Sequence, residues 1–140
     1  MDKGKYLGID FGDRRVGIAL SDLNKEIAFP REVLVVLKLS ELLEELKLLC
    51  ETEGVTKIVL GLPLDMNGNW GDRAQKTEVF RQKLEKAVPG IDIEYFDERL
   101  TSVEAEKSLR EQGYKNHRQK DKKDAVAAQK ILQTYLDSRR

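Results

Sequence analysis

The chain has 140 residues, 40% of them apolar and 36% charged, with 25 Lys and Arg against 25 Asp and Glu. That length suits one domain with a real hydrophobic core, and that composition excludes a disordered chain. A net charge of zero argues against non-specific coating of nucleic acid, and a single cysteine and a single histidine exclude Cys/His zinc sites and internal disulfides.

No run approaches the ~20 apolar residues of a membrane span. "MDKGKY" leads directly into a strand without a signal-peptide pattern, so the reduced cytosol is the expected compartment and no membrane partner is expected.

Residues 5–11 and 15–21 are short, apolar and glycine-bounded, as two strands joined by "GDRR" would be. Residues 27–37 predict a third strand, with Pro30 placing its first half at an edge or a bulge. From Ser40 to Glu53 the period changes. Leu39, Leu42, Leu43, Leu46, Leu49 and Cys50 recur at three and four, which predicts an amphipathic helix with Ser40 as N-cap and Cys50 as a packing residue.

"TKIVLGLP" at 56–63 is a short buried strand, followed by the loop "LDMNGNWG". Asp72 and Gln75 have capping-box spacing and open a second helix, which "VPG" at 88–90 should stop. "IDIEYF" at 91–96 is another strand. "TSVE" at 101–104 is a second capping box, opening a helix that Gly113 closes, and the last helix runs from Lys122 to Leu136. Three strands in succession, then strands separated by helices, predict an α/β fold with a five-stranded mixed sheet covered by helices on both faces.

Three acids sit where apolar residues would be ordinary. The period of a strand puts Tyr6, Gly8, Asp10 and Gly12 on one face, so Asp10 stands between two positions without side chains. A carboxylate entering a fold there needs a partner, because burying an unpaired charge costs several kcal/mol or neutralises it (roughly, by either route). In "YFDERLTS", Asp97 and Glu98 point opposite ways, so only one of them faces Asp10; both also suit the positive start of a following helix. Asp124 shares a helix face with Ala128, Ile131 and Tyr135, at the head of an apolar stripe, though a first-turn aspartate is also ordinary helix chemistry. Carboxylates meeting at one edge of a sheet would repel each other unless a hard divalent cation joined them, and Mg²⁺ prefers oxygen donors. Such ions activate water and stabilise the leaving oxygen of a phosphodiester.

Four segments carry a specific resemblance: "GIDFGDRRVGIALSD" (8–22), "GLPLDMNGNWG" (61–71), "YFDERLTSVEA" (95–105) and "KKDAVAAQKIL" (122–132). In this order they resemble the YqgF family, Holliday-junction-resolvase-like proteins also described as pre-16S rRNA nucleases. The resemblance implies a ribonuclease H-like fold over residues 1–140 as a single domain, with a RuvC-like acidic site. It carries the catalytic and metal-ligand roles to Asp10, Glu98 and Asp124, with Mg²⁺ or Mn²⁺ as cofactor. Many relatives have "GTK" after the first-strand "DFG", where this chain has Asp13, Arg14 and Arg15, so Asp13 stays outside the catalytic set.

Substrate contacts are expected from the basic segment 114–123, "YKNHRQKDKK", in which Lys115, Arg118, Lys120, Lys122 and Lys123 face a single Asp121. An arm of that charge beside Asp124 suits phosphates, although charge runs are more often solvated loops. Arg14, Arg15, Arg73 and Arg99 are further expected phosphate contacts, Arg99 being nearest the acids, and Trp70 is placed to stack on a base or to pack as a lid. The expected substrate is structured nucleic acid: pre-16S rRNA, free or on ribosomal particles, or alternatively branched DNA at a Holliday junction. Two other classes compete. "GIDFG" also resembles the first phosphate loop of actin-like ATPases and sugar kinases, which clasp a nucleotide between two domains where this chain has one. A binding module that has lost turnover is the third.

Overall fold

The computed structural model describes residues 3–101 and 120–139, with side chains from residue 125 onward in the second span. Among the described residues, strands β1 (Lys5–Phe11), β2 (Arg15–Ser21), β3 (Ala28–Val35), β4 (Val55–Leu62) and β5 (Asp92–Asp97) form one sheet in the order β3-β2-β1-β4-β5. β1 and β2 pair antiparallel, as do β2 and β3, whereas β1–β4 and β4–β5 are parallel. This is the expected mixed sheet. β1, β4 and β5 therefore end at the same side, where their carboxyl ends open a crevice, the usual place for a ligand in an α/β sheet.

Pro30 lies on the edge strand, where its missing N–H costs no central ladder bond. The register moves from Ile18↔Glu32 to Ala19↔Pro30, which leaves Arg31 as the extra residue of a bulge. The strand stops at Val35, two residues short of the expected end.

Helices α1 (Leu39–Glu53) and α2 (Asp72–Ala87) cover one face of the sheet and α3 (Lys120–Ser138) the other. The alternation of β1 decides which residue meets which layer. Leu7 and Ile9 are fully buried with Leu42, Leu46, Phe80 and Leu84 of α1 and α2. Tyr6 and Gly8 face α3, and there glycine is required: a β-carbon on Gly8 would stand 2.8 Å from Cβ of Leu132 and 3.0 Å from the carbonyl oxygen of Ala128.

Two expected helix caps are corrected, while α2 does begin at the expected Asp72. Leu42 N–H donates to the Lys38 carbonyl at 3.2 Å, so the first turn of α1 closes on Lys38 and Ser40 lies inside the helix instead of capping it. Gln75 N–H likewise donates to the carbonyl of Gly71 at 3.1 Å, which makes Gly71 the N-cap of α2 and Asp72 its first helical residue. No side chain caps either helix, so the Asp72–Gln75 capping box does not form. The stops agree better: Gly54 ends α1 at φ +67°, a left-handed turn that glycine adopts without strain, and α2 ends ahead of Pro89. Cys50 packs in the core, 3% exposed, and burial pushes its thiol up to about 11, which keeps it inert. The expected helix between "TSVE" and Gly113 lies outside the described residues.

α3 is anchored by two buried glutamines that serve the backbone of the edge strand. Gln129 Nε2 donates to the carbonyl of Ala28 at 2.8 Å, and Ala28 N–H donates to Gln133 Oε1 at 2.9 Å. The helix runs antiparallel to β1, since the ring of Tyr135 lies 6.2 Å from that of Tyr6 while Leu132 and Ala128 sit over Gly8. Going back along α3 thus leads toward the carboxyl end of β1, which puts the backbone of Asp124 at the same end of the sheet as Asp10. No described helix is long and apolar enough to cross a membrane.

Candidate active site at the carboxyl ends of the strands

The register Gly8↔Val59 and Ile9↔Leu60 brings Asp10 level with Gly61 when continued one step, and Gly61 pairs with Phe96 of β5. Gly61 is the floor of the site. Two residues past Phe96, Glu98 opens a short 3₁₀ turn (Glu98–Leu100) and folds back over that floor. Its Oε2 lies 3.0 Å from where a β-carbon on Gly61 would stand, beside Cδ1 of Ile131 at 2.7 Å. The missing side chain of Gly61 makes room for Glu98.

Burial first, and the negative charge of Asp10 second, push the Glu98 carboxyl up from 4.5 to about 7, while the cation of Arg73 opposes the rise. Asp10 and Glu98 thus share one electrostatic pocket on the α3 face. Strand alternation left the choice between Asp97 and Glu98 open, and the turn settles which of them faces Asp10. Asp97 instead accepts hydrogen bonds from Arg99, at 3.0 Å from its backbone N–H and 2.7 Å from Nη2, and Arg99 holds its carboxyl below the usual carboxylate range.

Two partly buried carboxylates close together are hard oxygen donors of the kind that Mg²⁺ or Mn²⁺ takes. Among the described residues no group of three His, Cys, Asp or Glu is disposed to hold a metal. The third expected ligand, Asp124, has its side chain outside the described residues, and only the backbone of α3 bears on it.

The rim is built by the β1–β2 turn, the 62–71 loop and α2. Arg14 is exposed in the turn that follows Asp10. Asp13 faces Lys76 of α2 at 3.5 Å, with both side chains largely exposed, a pair of small energetic weight. Trp70 is 46% exposed and meets Tyr95 edge-on, with ring centroids 5.9 Å apart, so it is both a lid contact and an open aromatic face. The Tyr95 hydroxyl donates to Glu78, which also accepts from Arg81 and Gln82, and these bonds, Arg81 foremost, hold Glu78 down at about 2. Lys120, Lys122 and Lys123 lie on the backbone of α3, whose described part begins at Lys120; Lys115 and Arg118 lie outside the described residues.

Composition and spacing did not single out Gln129 and Gln133, which hold the helix that carries Asp124. They read as an ordinary polar face, and their partner Ala28 is 101 and 105 residues away. Arg73 was visible only as one cation among several; its nearness to Glu98 depends on how α2 is laid on the sheet.

With this geometry in hand, the comparisons with known proteins agree on one family. Residues 4–138 match the family model described as "RuvX: Holliday junction resolvase". A "Putative pre-16S rRNA nuclease" of Chloroflexus aggregans is 41% identical over 140 residues, spanning 100% of this chain and 98% of that protein. A protein of the same description from Protochlamydia amoebophila is 45% identical over 142 residues, spanning 96% and 94%. Among solved structures, T. thermophilus RuvC in complex with a Holliday junction substrate superposes with a TM-score of 0.65 at 12% identity, covering 97% of this chain and 95% of that one. At that identity the likeness establishes the fold alone, and the fold is the expected ribonuclease H-like one.

Proposed function

Because this chain belongs to the RuvX/YqgF family of nucleases, matched over residues 4–138, we propose that it hydrolyses phosphodiester bonds of structured nucleic acid with Mg²⁺ or Mn²⁺ held by Asp10, Glu98 and Asp124. Its cellular substrate, on the description shared by its relatives, is pre-16S rRNA, and the family resemblance points to its 5′ end. The whole chain then works as one ribonuclease H-like domain in the cytoplasm, on free precursor or on ribosomal particles. The single observation that carries this reading is the placement of the Glu98 carboxylate over Gly61, the residue level with Asp10 across the strand ends.

Hydrolysis adds water across one P–O bond and leaves a phosphate monoester and a hydroxyl. When bound, a divalent ion supplies Lewis acidity at the phosphoryl oxygen and lowers the pKa of water. The protein's own residues prepare that step. Gly61 admits the Glu98 carboxylate over the strand ends and Asp10 faces it from β1; both carboxylates would be ionised when holding a divalent ion. Arg73 adds positive charge at the rim, where a phosphate would approach.

Arg14, Trp70 and the basic arm, Lys115, Arg118, Lys120, Lys122 and Lys123, are the proposed nucleic-acid contacts. Phosphates of the substrate would be neutralised by these cations, with Asp121 offsetting part of the charge. The test is cleavage of precursor rRNA in Mg²⁺ by the parent and by Asp10→Asn, Glu98→Gln and Asp124→Asn. Cleavage by the parent and its loss in all three is the expected result; three variants that cut as well as the parent would overturn the site.

A second substrate has one observation in its favour, the family description as Holliday junction resolvase. A four-way DNA junction in the same assay decides between the two, because the acidic site itself serves either backbone.

A further inference from the structure

The sequence offers Arg99 as a phosphate contact, being the cation nearest the acids. The structure directs its fork elsewhere. Arg99 Nε donates to both Asp97 oxygens at 3.1 Å, and Nη2 donates to Oδ2 at 2.7 Å. The third nitrogen, Nη1, reaches across to the 62–71 loop and donates to the carbonyl of Met66 at 3.4 Å. The guanidinium also lies against Gly68, where a β-carbon would stand 3.3 Å from Nη1 and where φ is +86°, so no side chain fits there without strain.

The loop segment that Arg99 grips is a closed turn. Gly68 N–H donates to the Asp65 carbonyl at 2.9 Å, Asp65 N–H to the Asn69 carbonyl at 3.1 Å, and Asn69 N–H to Asp65 Oδ1 at 2.8 Å. On the other side, Asp97 and Arg99 flank Glu98 in sequence. Asp97 accepts from the backbone N–H of Arg99, and Thr101 Oγ1 donates to the Glu98 carbonyl at 3.0 Å, so the backbone on both sides of Glu98 is held. These bonds set the direction in which the Glu98 carboxylate leaves the chain.

We propose that Asp97 and Arg99 form a clasp that locks the 65–69 turn to the Glu98 turn, and that both are positioning residues for Glu98. This rests on the nuclease reading for its kinetic consequence, though not for its structural one. The pair is partly exposed, 42% for the Arg99 side chain and 22% for Asp97, and such surface pairs add little to global stability. Its role is geometric: a misplacement of about 1 Å in a catalytic group costs up to about a hundredfold in rate. Lysine cannot replace the arginine, since a single ammonium cannot span Asp97 and Met66 together.

Trp70, the only tryptophan in the chain, adjoins the clasped turn and reports on it directly. The experiment compares Asp97→Asn, Arg99→Lys and Arg99→Gln with the parent in three measurements: acrylamide quenching of Trp70 without metal, thermal midpoint, and kcat and KM on the substrate the parent cleaves. The clasp predicts stronger quenching in all three variants, little change in midpoint, and a kcat lower by about tenfold or more at a KM within about threefold. A phosphate contact predicts the reverse. Arg99→Lys would keep the quenching and kcat of the parent, Arg99→Gln would raise KM, and Asp97→Asn would lower KM by releasing the arginine; any of these overturns the clasp. Should the parent cleave nothing, the nuclease reading fails, and the quenching comparison still decides the clasp.

Discussion

The Glu98 carboxylate occupies the space that a side chain on Gly61 would fill, with Oε2 3.0 Å from the position of the absent β-carbon. A glycine at the end of a buried strand and an acid at the end of its neighbour are thus two halves of one feature, and the site depends on both.

Gly61→Ala tests that dependence. The new methyl would meet Ile131 Cδ1 at 2.7 Å and Glu98 Oε2 at 3.0 Å. The isoleucine end can shift, so the stability cost should sit near the lower end of the roughly 1–3 kcal/mol typical of overpacking. Glu98 must give by a few tenths of an ångström, which disturbs a metal ligand more than it disturbs packing, so cleavage should fall by more than stability does. Rates at saturating Mg²⁺ set beside urea melts check the split; an alanine variant with the parent's rate would show that Glu98 does not need this position.

The raised Glu98 carboxyl has a definite consequence for stability. With a pKa of about 7 in the folded chain against an ordinary 4.5, the folded state binds more protons than the unfolded state between those two values. Stability therefore falls as pH rises through about 4.5 to 7 and levels off above, by at most about 3 kcal/mol from this group at ~1.4 kcal/mol per unit. Solvent at the partly exposed carboxylate reduces that figure. Glu98→Gln removes the penalty, so in chelator at pH 8 the variant should be more stable than the parent, with the gap closing toward pH 4.5. Equal stability at both pH values would mean that Glu98 is not raised.

The anchoring of α3 predicts a cost without any chemistry. Gln133 Oε1 accepts from Ala28 N–H at 2.9 Å in a buried setting, and its Nε2 donates to the Glu26 carbonyl at 2.9 Å. Gln133→Leu leaves a buried backbone donor unsatisfied, worth about 1–3 kcal/mol. Denaturant unfolding should show that loss. Because the helix also carries Asp124, half-activation should need more Mg²⁺.

Much of this was legible in the sequence, for identifiable reasons. Period two along "YLGIDFG" separates Leu7 and Ile9 from Tyr6, Gly8 and Asp10, and the two sets do face different helical layers. Pro30 was readable as an edge or bulge residue, and it is beside one at the edge. The choice between Asp97 and Glu98 was not readable from alternation, because the strand ends at Asp97 and Glu98 belongs to a 3₁₀ turn where period two stops applying. Resemblance named Glu98; geometry supplies the cause, since Arg99 draws Asp97 away. The caps at Ser40 and at Asp72–Gln75 were misread because a side chain able to cap is not obliged to, and the backbone carbonyls of Lys38 and Gly71 took the first bonds. Gln129 and Gln133 were invisible because their role lies in a contact with Ala28 that only the folded chain creates.

The central claim is that Asp10 and Glu98 are neighbours because a divalent cation belongs between them. The most direct measurement is a calorimetric titration of the parent, Asp10→Asn and Glu98→Gln with Mn²⁺ at pH 8, without nucleic acid. Loss of a residue that only supports a metal ligand typically costs about 10–100-fold in affinity, and removing a ligand itself should cost at least as much. Binding by the parent that weakens by that factor in both variants is the predicted result. Binding of equal strength in all three proteins would contradict the account.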